Sequence, residues 1–266
     1  MGAEEIAEKK ARRGRRPRKT NYLLPLGTVL AAAVLWEVYV GLFKVPIYII
    51  PAPSAILSEI VASPQMLLEH TRATLAEIVL GFLISILVAI PIAVVIAYSR
   101  KLDDMFQPLL VFLQTVPKLA VAPLFLIWFG FGFLPKLLVI ILISFFPIVV
   151  STLTGLKSVE REMLLLMRSL KATWFQTFVK VSFPNALPHI FSGLKVAITL
   201  SVVGAVAAEW IVSEEGLGYL LLFSASNIRP RMLFAALMIL SGVGYLLYSI
   251  ICAVERRIIT YEAEIS

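Results

Sequence analysis

Six stretches of the chain run for about twenty residues each with few charges, a length and composition suited to an α-helix crossing a bilayer. They lie at about Tyr22 to Phe43, Thr74 to Tyr98, Phe106 to Phe131, Leu134 to Leu153, Ile190 to Val212 and Met232 to Val254. Without water to bond exposed backbone groups, only helices and closed barrels can span lipid. These runs are continuously apolar rather than alternating, which excludes the barrel. Composition agrees: 59% of the 266 residues are hydrophobic and 15% charged, against about 45–50% and about 25% in soluble domains. The fold expected is an all-α polytopic membrane protein of six transmembrane helices. Residues 1–20 form a basic arm ahead of a transmembrane domain over 21–260.

Charge orients the bundle. Eight of the 24 Lys and Arg lie between Lys9 and Lys19, beside the first span, where a basic arm reads as a cytoplasmic topology signal that favours anionic lipid rather than nucleic acid. With the N-terminus inside, 18 basic residues fall on the inner side and 5 on the outer, with Lys118 left within the third span. Both termini are therefore expected in the cytoplasm. So is the one long polar interruption, Ser158 to Pro188.

That interruption carries helical signals. Glu160 and Glu162 suit the first turn of a short helix, and Met163, Leu166, Met167 and Leu170 recur at helical spacing as its apolar stripe. A second helix is announced by Thr173 and Gln176, a Thr-x-x-Gln capping box. Pro184 and Pro188 mark where it must end or re-aim. The segment is too polar to span and too patterned for a linker, so it reads as a surface held by another protein. A shorter amphipathic helix is expected from Ser54, with Ile56, Leu57 and Ile60 facing the membrane surface.

Reactive chemistry is sparse. The two histidines, His70 and His189, have no partners at metal-ligand spacing, so no metal site is expected. No His-Glu-x-x-His, Gly-x-Ser-x-Gly or phosphate-loop pattern occurs, and no catalytic residue is assigned. The chain is expected to bind no cofactor, so uphill transport would draw its energy from elsewhere. Within spans, Glu37, Glu77, Lys118 and Glu209 carry charge at depth. Glu77 and Lys118 are expected to pair across neighbouring helices, and Glu37 to sit beside Trp36. A proton relay, structural pairing and the lining of a gated cavity all stay open for these groups. Pro117, Pro123 and Pro147 break the third and fourth spans, as hinges or as tolerated kinks.

The interrupting segment resembles the EAA loop of binding-protein-dependent ABC importer permeases: Glu-Ala-Ala, three residues, Gly, nine residues, Ile-x-Leu-Pro. Its close matches Val181, Phe183 and Pro184. Further stretches agree with the aliphatic sulfonate, nitrate and taurine branch, which also holds permeases for pyrimidine and flavin vitamin precursors. Among them are Ile50 to Pro53, Thr74-Leu75, Gly81-Phe82, Pro117 to Leu124, Trp128 to Gly130, Phe145 to Pro147, Ala208-Glu209 and Gly216 to Gly218. The family's Gly falls on Lys171 and its Glu-Ala-Ala on Leu165, Leu166 and Met167. That Gly ends the loop's first helix in a left-handed conformation, where a Lys costs about 1 kcal/mol or more unless the turn is built differently.

The resemblance implies a type I ABC importer (MetI-like) permease fold with a cytoplasmic coupling loop between helices 4 and 5. It implies a second permease copy, identical or paralogous, two copies of a cytoplasmic ATPase that uses the ATP, and an extracytoplasmic solute-binding protein. ATPase-coupling residues would be Leu166, Met167, Leu170, Lys171, Ala172, Thr173, Trp174, Gln176, Phe178 and Pro184. Translocation-path or gate candidates are Pro117, Pro123, Trp128, Pro147 and Glu209. The solute would be a sulfonate, nitrate, taurine or a vitamin precursor. A proton-coupled secondary transporter and a membrane scaffold are the alternatives.

Overall fold

The computed structural model describes residues 23–259, and every regular element among them is helical. The basic arm and both chain ends lie outside the described residues. By contacts the chain divides into two units, residues 1–55 and 56–266. In the first, helix α1 (Leu23–Leu42) ends at a turn in which Lys44 has φ 48°. Glu37 accepts from the backbone N–H of Ser54 at 2.9 Å and from its hydroxyl at 2.7 Å. The expectation that Glu37 rests beside Trp36 misses this partner, because a hydroxyl and a free N–H satisfy a carboxylate better than an indole edge.

Ser54 lies in α2 (Pro53–Ala62), whose later residues belong to the second unit. Of the three residues expected to face the membrane surface, Ile56 is buried, Ile60 half-buried and Leu57 exposed. The outward apolar face expected of this helix is corrected: Ile60 packs on a cluster formed by Leu67, Leu217, Leu220 and Leu221.

The second unit continues with α3 (Pro64–Ala97), α4 (Arg100–Thr115), a 3-10 turn at Lys118–Val121, α5 (Ala122–Phe129) and α6 (Phe133–Lys157). Then come α7 (Arg161–Ser169), α8 (Trp174–Thr177), a π turn at Phe178–Ser182, α9 (Phe183–Val212), α10 (Leu217–Ser226) and α11 (Pro230–Ile258). Four described segments are long and apolar enough to cross a membrane: α3, α6, the run from α8 through α9, and α11. A fifth span forms if α4 and the turn with α5, bent by 82°, count as one. The apolar part of α1 with described side chains, Gly27–Leu42, is shorter than those four.

The core is a layer of α3, α6 and α9. Ile78 and Phe82 from α3, Ile140, Phe146 and Val149 from α6, and Ile190, Ile198 and Ala205 from α9 form one buried cluster. Lipid tails are as apolar as these side chains, so close backbone approach and hydrogen bonds must supply the association. Both are present. A Cβ at Gly193 would lie 2.8 Å from the Ser151 hydroxyl and 3.0 Å from the Pro147 carbonyl, so a side chain there would part α9 from α6. Ser85 of α3 and Ser144 of α6, both buried, share a 2.7 Å hydrogen bond.

Candidate functional site

The polar segment after α6 folds into two short helices. α7 begins at Arg161 with Glu162 in its first turn. It ends in a Schellman arrangement: the Ala172 N–H donates to the Met167 carbonyl at 3.0 Å and the Lys171 N–H to the Arg168 carbonyl at 2.9 Å. Lys171 occupies the left-handed position with φ 52°. The turn is thus the glycine type, and Lys bears its strain. Next, the Thr173 hydroxyl accepts from the Gln176 N–H at 3.3 Å while Gln176 Oε1 accepts from the Thr173 N–H at 2.8 Å, a reciprocal box that starts α8.

α8 does not end at Pro184. The Phe183 N–H reaches back five residues to the Phe178 carbonyl, and Pro184 then opens α9 at a position where its missing N–H is tolerated. One near-continuous helical run therefore extends from Trp174 to Ile211, 38 residues long, and Pro188 sits inside it. Of the two outcomes expected at these prolines, an end or a new direction, the helix does not end: Pro184 opens α9, Pro188 lies within it, and the π turn absorbs the mismatch.

Side chains fasten this segment to the bundle. The Trp174 ring stacks on Phe178 at 5.7 Å and meets the edge of Tyr98, at the end of α3, at 5.1 Å. Phe178 in turn touches Phe183 at 5.6 Å. Asn185 donates to the Ser158 hydroxyl at 3.0 Å, tying the two ends of the segment together. Lys157, ending α6, pairs with Asp103 in the first turn of α4. The remaining apolar stripe has no cover: Leu166 is 52% exposed, Leu170 68%, Trp174 55% and Phe175 64%. Met163 and Leu165 are exposed as well.

A second cluster, at the other end of α6, was only partly legible. Lys136 of α6 is buried and pairs with Glu77 of α3. It also donates to the Ser213 hydroxyl at 3.1 Å and lies 3.8 Å from Glu215. The expected Glu77–Lys118 pair does not form. Lys118 sits at the break between α4 and α5, donating to the Gln114 carbonyl at 3.3 Å, with the Phe146 ring 5.3 Å away.

Beside this pair, side chains from α3 and α9 cap α10. The Thr74 hydroxyl donates to Glu209 at 2.6 Å and accepts from the Leu217 N–H at 2.7 Å. Glu209 also accepts from the Gly218 N–H, and His70 Nδ1 accepts from the Gly216 N–H at 2.9 Å. The first N–H groups of a helix lack internal partners and favour negative charge, so a buried carboxylate is well placed here. Gly216 has φ 103°, and a Cβ there would overlap the Glu209 carboxylate. Three separate stretches singled out in the sequence, Thr74-Leu75, Ala208-Glu209 and Gly216 to Gly218, thus meet in one site. The short helix α10 itself gave no sequence signal, being too brief to span.

The path candidates are split by the structure. Pro147 lines a cavity of about 460 Å3 with Gln114, Lys118 and Ser151. Pro117 and Pro123 flank the turn at the break. Trp128 is exposed on α5, with Phe125 6.2 Å away. Glu209 is buried in the capping cluster and lines neither this cavity nor its neighbour. Among the described residues no group of three His, Cys, Asp or Glu could hold a metal ion.

A bundle with broken helices, and a polar loop that shows aromatic and leucine side chains, has the form of a transporter's membrane subunit. Comparison assigns the class. Residues 74–260 match the family model of the binding-protein-dependent transport system inner membrane component, and the chain belongs to that family. It is an ABC permease subunit, not an enzyme. A probable ABC transporter permease of Haemophilus influenzae is 34% identical over 230 residues, 86% of this chain and 94% of that one. The formylaminopyrimidine transport permease ThiX of Halalkalibacterium halodurans is also 34% identical, covering 87% of this chain and 93% of its own. A putative aliphatic sulfonates transport permease, SsuC of Bacillus subtilis, is 31% identical over 93% of this chain and 91% of its own. The inward-facing MetNI methionine ABC transporter superposes with a TM-score of 0.63 at 16% identity, covering 73% of this chain and 96% of that one. This likeness carries the MetI-like fold.

Proposed function

We propose that this permease moves a small organic or inorganic solute inward across the cytoplasmic membrane, driven by ATP that a separate cytoplasmic ATPase hydrolyses. The observation that carries the reading is the 158–188 segment. Its two short helices are anchored at both ends, yet they leave Leu166, Leu170, Trp174 and Phe175 uncovered. Apolar groups held out from a fixed loop suit a protein groove. The anchors suit transmission: Trp174 bears on Tyr98 of α3, and α8 runs into α9, so a displaced loop would move two core helices together.

In this reading both termini and the segment are cytoplasmic, all six spans including α1 cross, and two copies of the ATPase serve a pair of permeases, identical or paralogous. A solute-binding protein delivers the solute from outside. Relatives are named for formylaminopyrimidine, aliphatic sulfonates, riboflavin and taurine, and the solute here belongs to that range. The test is uptake into proteoliposomes by the complete complex. Uptake should require ATP and survive a proton uncoupler. Transport that ignores ATP and collapses with the uncoupler overturns the proposal in favour of a secondary transporter.

A further inference from the structure

One charged side chain, Lys118, takes no part in the proposed docking surface. It lies at the break between α4 and α5, where the chain turns through 82°. The cavity it lines, about 460 Å3, adjoins another of about 610 Å3, and the two share Gln114 and Val150. They form one groove between α4 and α6.

Polar side chains line this groove from both helices. Gln107 and Gln114 are seven residues apart on α4 and so share a face, and Lys118, in the 3-10 turn beyond the end of α4, donates to the Gln114 carbonyl at 3.3 Å. Ser151 and Thr154 answer from α6. No Asp or Glu lines either cavity. The groove's other cation, Lys157, is already matched by Asp103. Lys118 has a backbone carbonyl and the face of Phe146 for company, and no carboxylate within ion-pairing reach among the described residues.

Ionisable groups at membrane depth pair or mark a solute pathway, and a fixed cation among amides and hydroxyls attracts an anion while repelling cations. Amide and hydroxyl donors complete the coordination an oxyanion needs. We infer that the α4–α6 groove is the solute's passage and that Lys118, with Gln114 and Ser151, forms a subsite for a small oxyanion such as a sulfonate. This rests on the permease reading and narrows its solute class to anions.

The test uses the full chain with its ATPase in lipid nanodiscs. Lys118 is labelled with a lysine-directed acylating reagent and its modification rate read by peptide mass spectrometry. The probes are methanesulfonate and its neutral isostere dimethyl sulfone, at ionic strength held with sodium chloride. Lys101, exposed at the start of α4, is the control. Methanesulfonate at about twice its dissociation constant should slow Lys118 labelling about threefold, leaving Lys101 unchanged and dimethyl sulfone without effect. Equal protection by the sulfone, equal slowing at Lys101, or no protection up to the highest usable methanesulfonate concentration each overturns the anion subsite. ATP hydrolysis in the same discs separates the two readings. An unprotected Lys118 beside a bound, active ATPase defeats the subsite alone, whereas a protected Lys118 in a chain that binds no ATPase defeats the docking proposal alone.

Discussion

Helix α6 ends twice in a lysine–carboxylate pair, and the two pairs behave as opposites. Near its start, Lys136 and Glu77 are 3% and 0% exposed, and the capping cluster of Thr74, Glu209 and the Gly216–Gly218 turn lies close by. At its end, Lys157 and Asp103 are 34% and 24% exposed, and the loop beyond shows apolar side chains without cover. One end buries its charged groups against one another. The other leaves apolar groups exposed. The first end is built to hold still, and the second carries the surface proposed to dock the ATPase.

The sharpest way to break this contrast is to remove one charge from each pair. Lys136→Met strands a buried carboxylate and should cost about 3–5 kcal/mol, read as a lowered unfolding midpoint in detergent. Adding Glu77→Gln to the same chain should recover more than half of that loss. A single variant as stable as the parent would show that the pair carries little. Leu170→Glu comes next, and it acts on binding rather than folding. It should weaken ATPase association by about 2 kcal/mol or more in co-purification, with stability changed by less than about 0.5 kcal/mol. Undiminished ATPase recovery would remove the exposed stripe from the docking surface.

Lys157→Met should cost only about 0–1 kcal/mol in the same unfolding assay, since water replaces its partner. A loss matching that of Lys136→Met would erase the distinction between the two ends. Smallest is Lys171→Gly. Relief of the left-handed strain, offset by glycine's flexibility when unfolded, should leave stability unchanged or raise it by up to about 1 kcal/mol. A clear loss would mean that the Lys side chain itself supports the turn.

Local patterns were legible. The capping box, the apolar stripe of α7 and the prolines of the broken third span all depend on residues within a few positions of one another, whereas the left-handed position at 171 was implied only by the family resemblance. Pairings across the bundle were not. On sequence grounds Lys118, within the third span, is as good a partner for Glu77 as Lys136, at the start of the fourth. Nothing local reveals which of two lysines, 18 positions apart, faces α3.

Sequence by itself determined the solvent this protein folds in, the positions of its long helices, its lack of a phosphate-loop ATPase motif, and the loop that sets it apart from a simple bundle. Those follow from hydrophobic length and from short-range backbone chemistry. Tertiary structure alone decided that Glu209 caps α10 rather than lining the groove, that α8 runs into α9, and that Lys118 meets Gln114 and Phe146 instead of a carboxylate. Such outcomes depend on the rotation and register of packed helices, which small residues such as Gly193 permit but no single stretch of chain encodes.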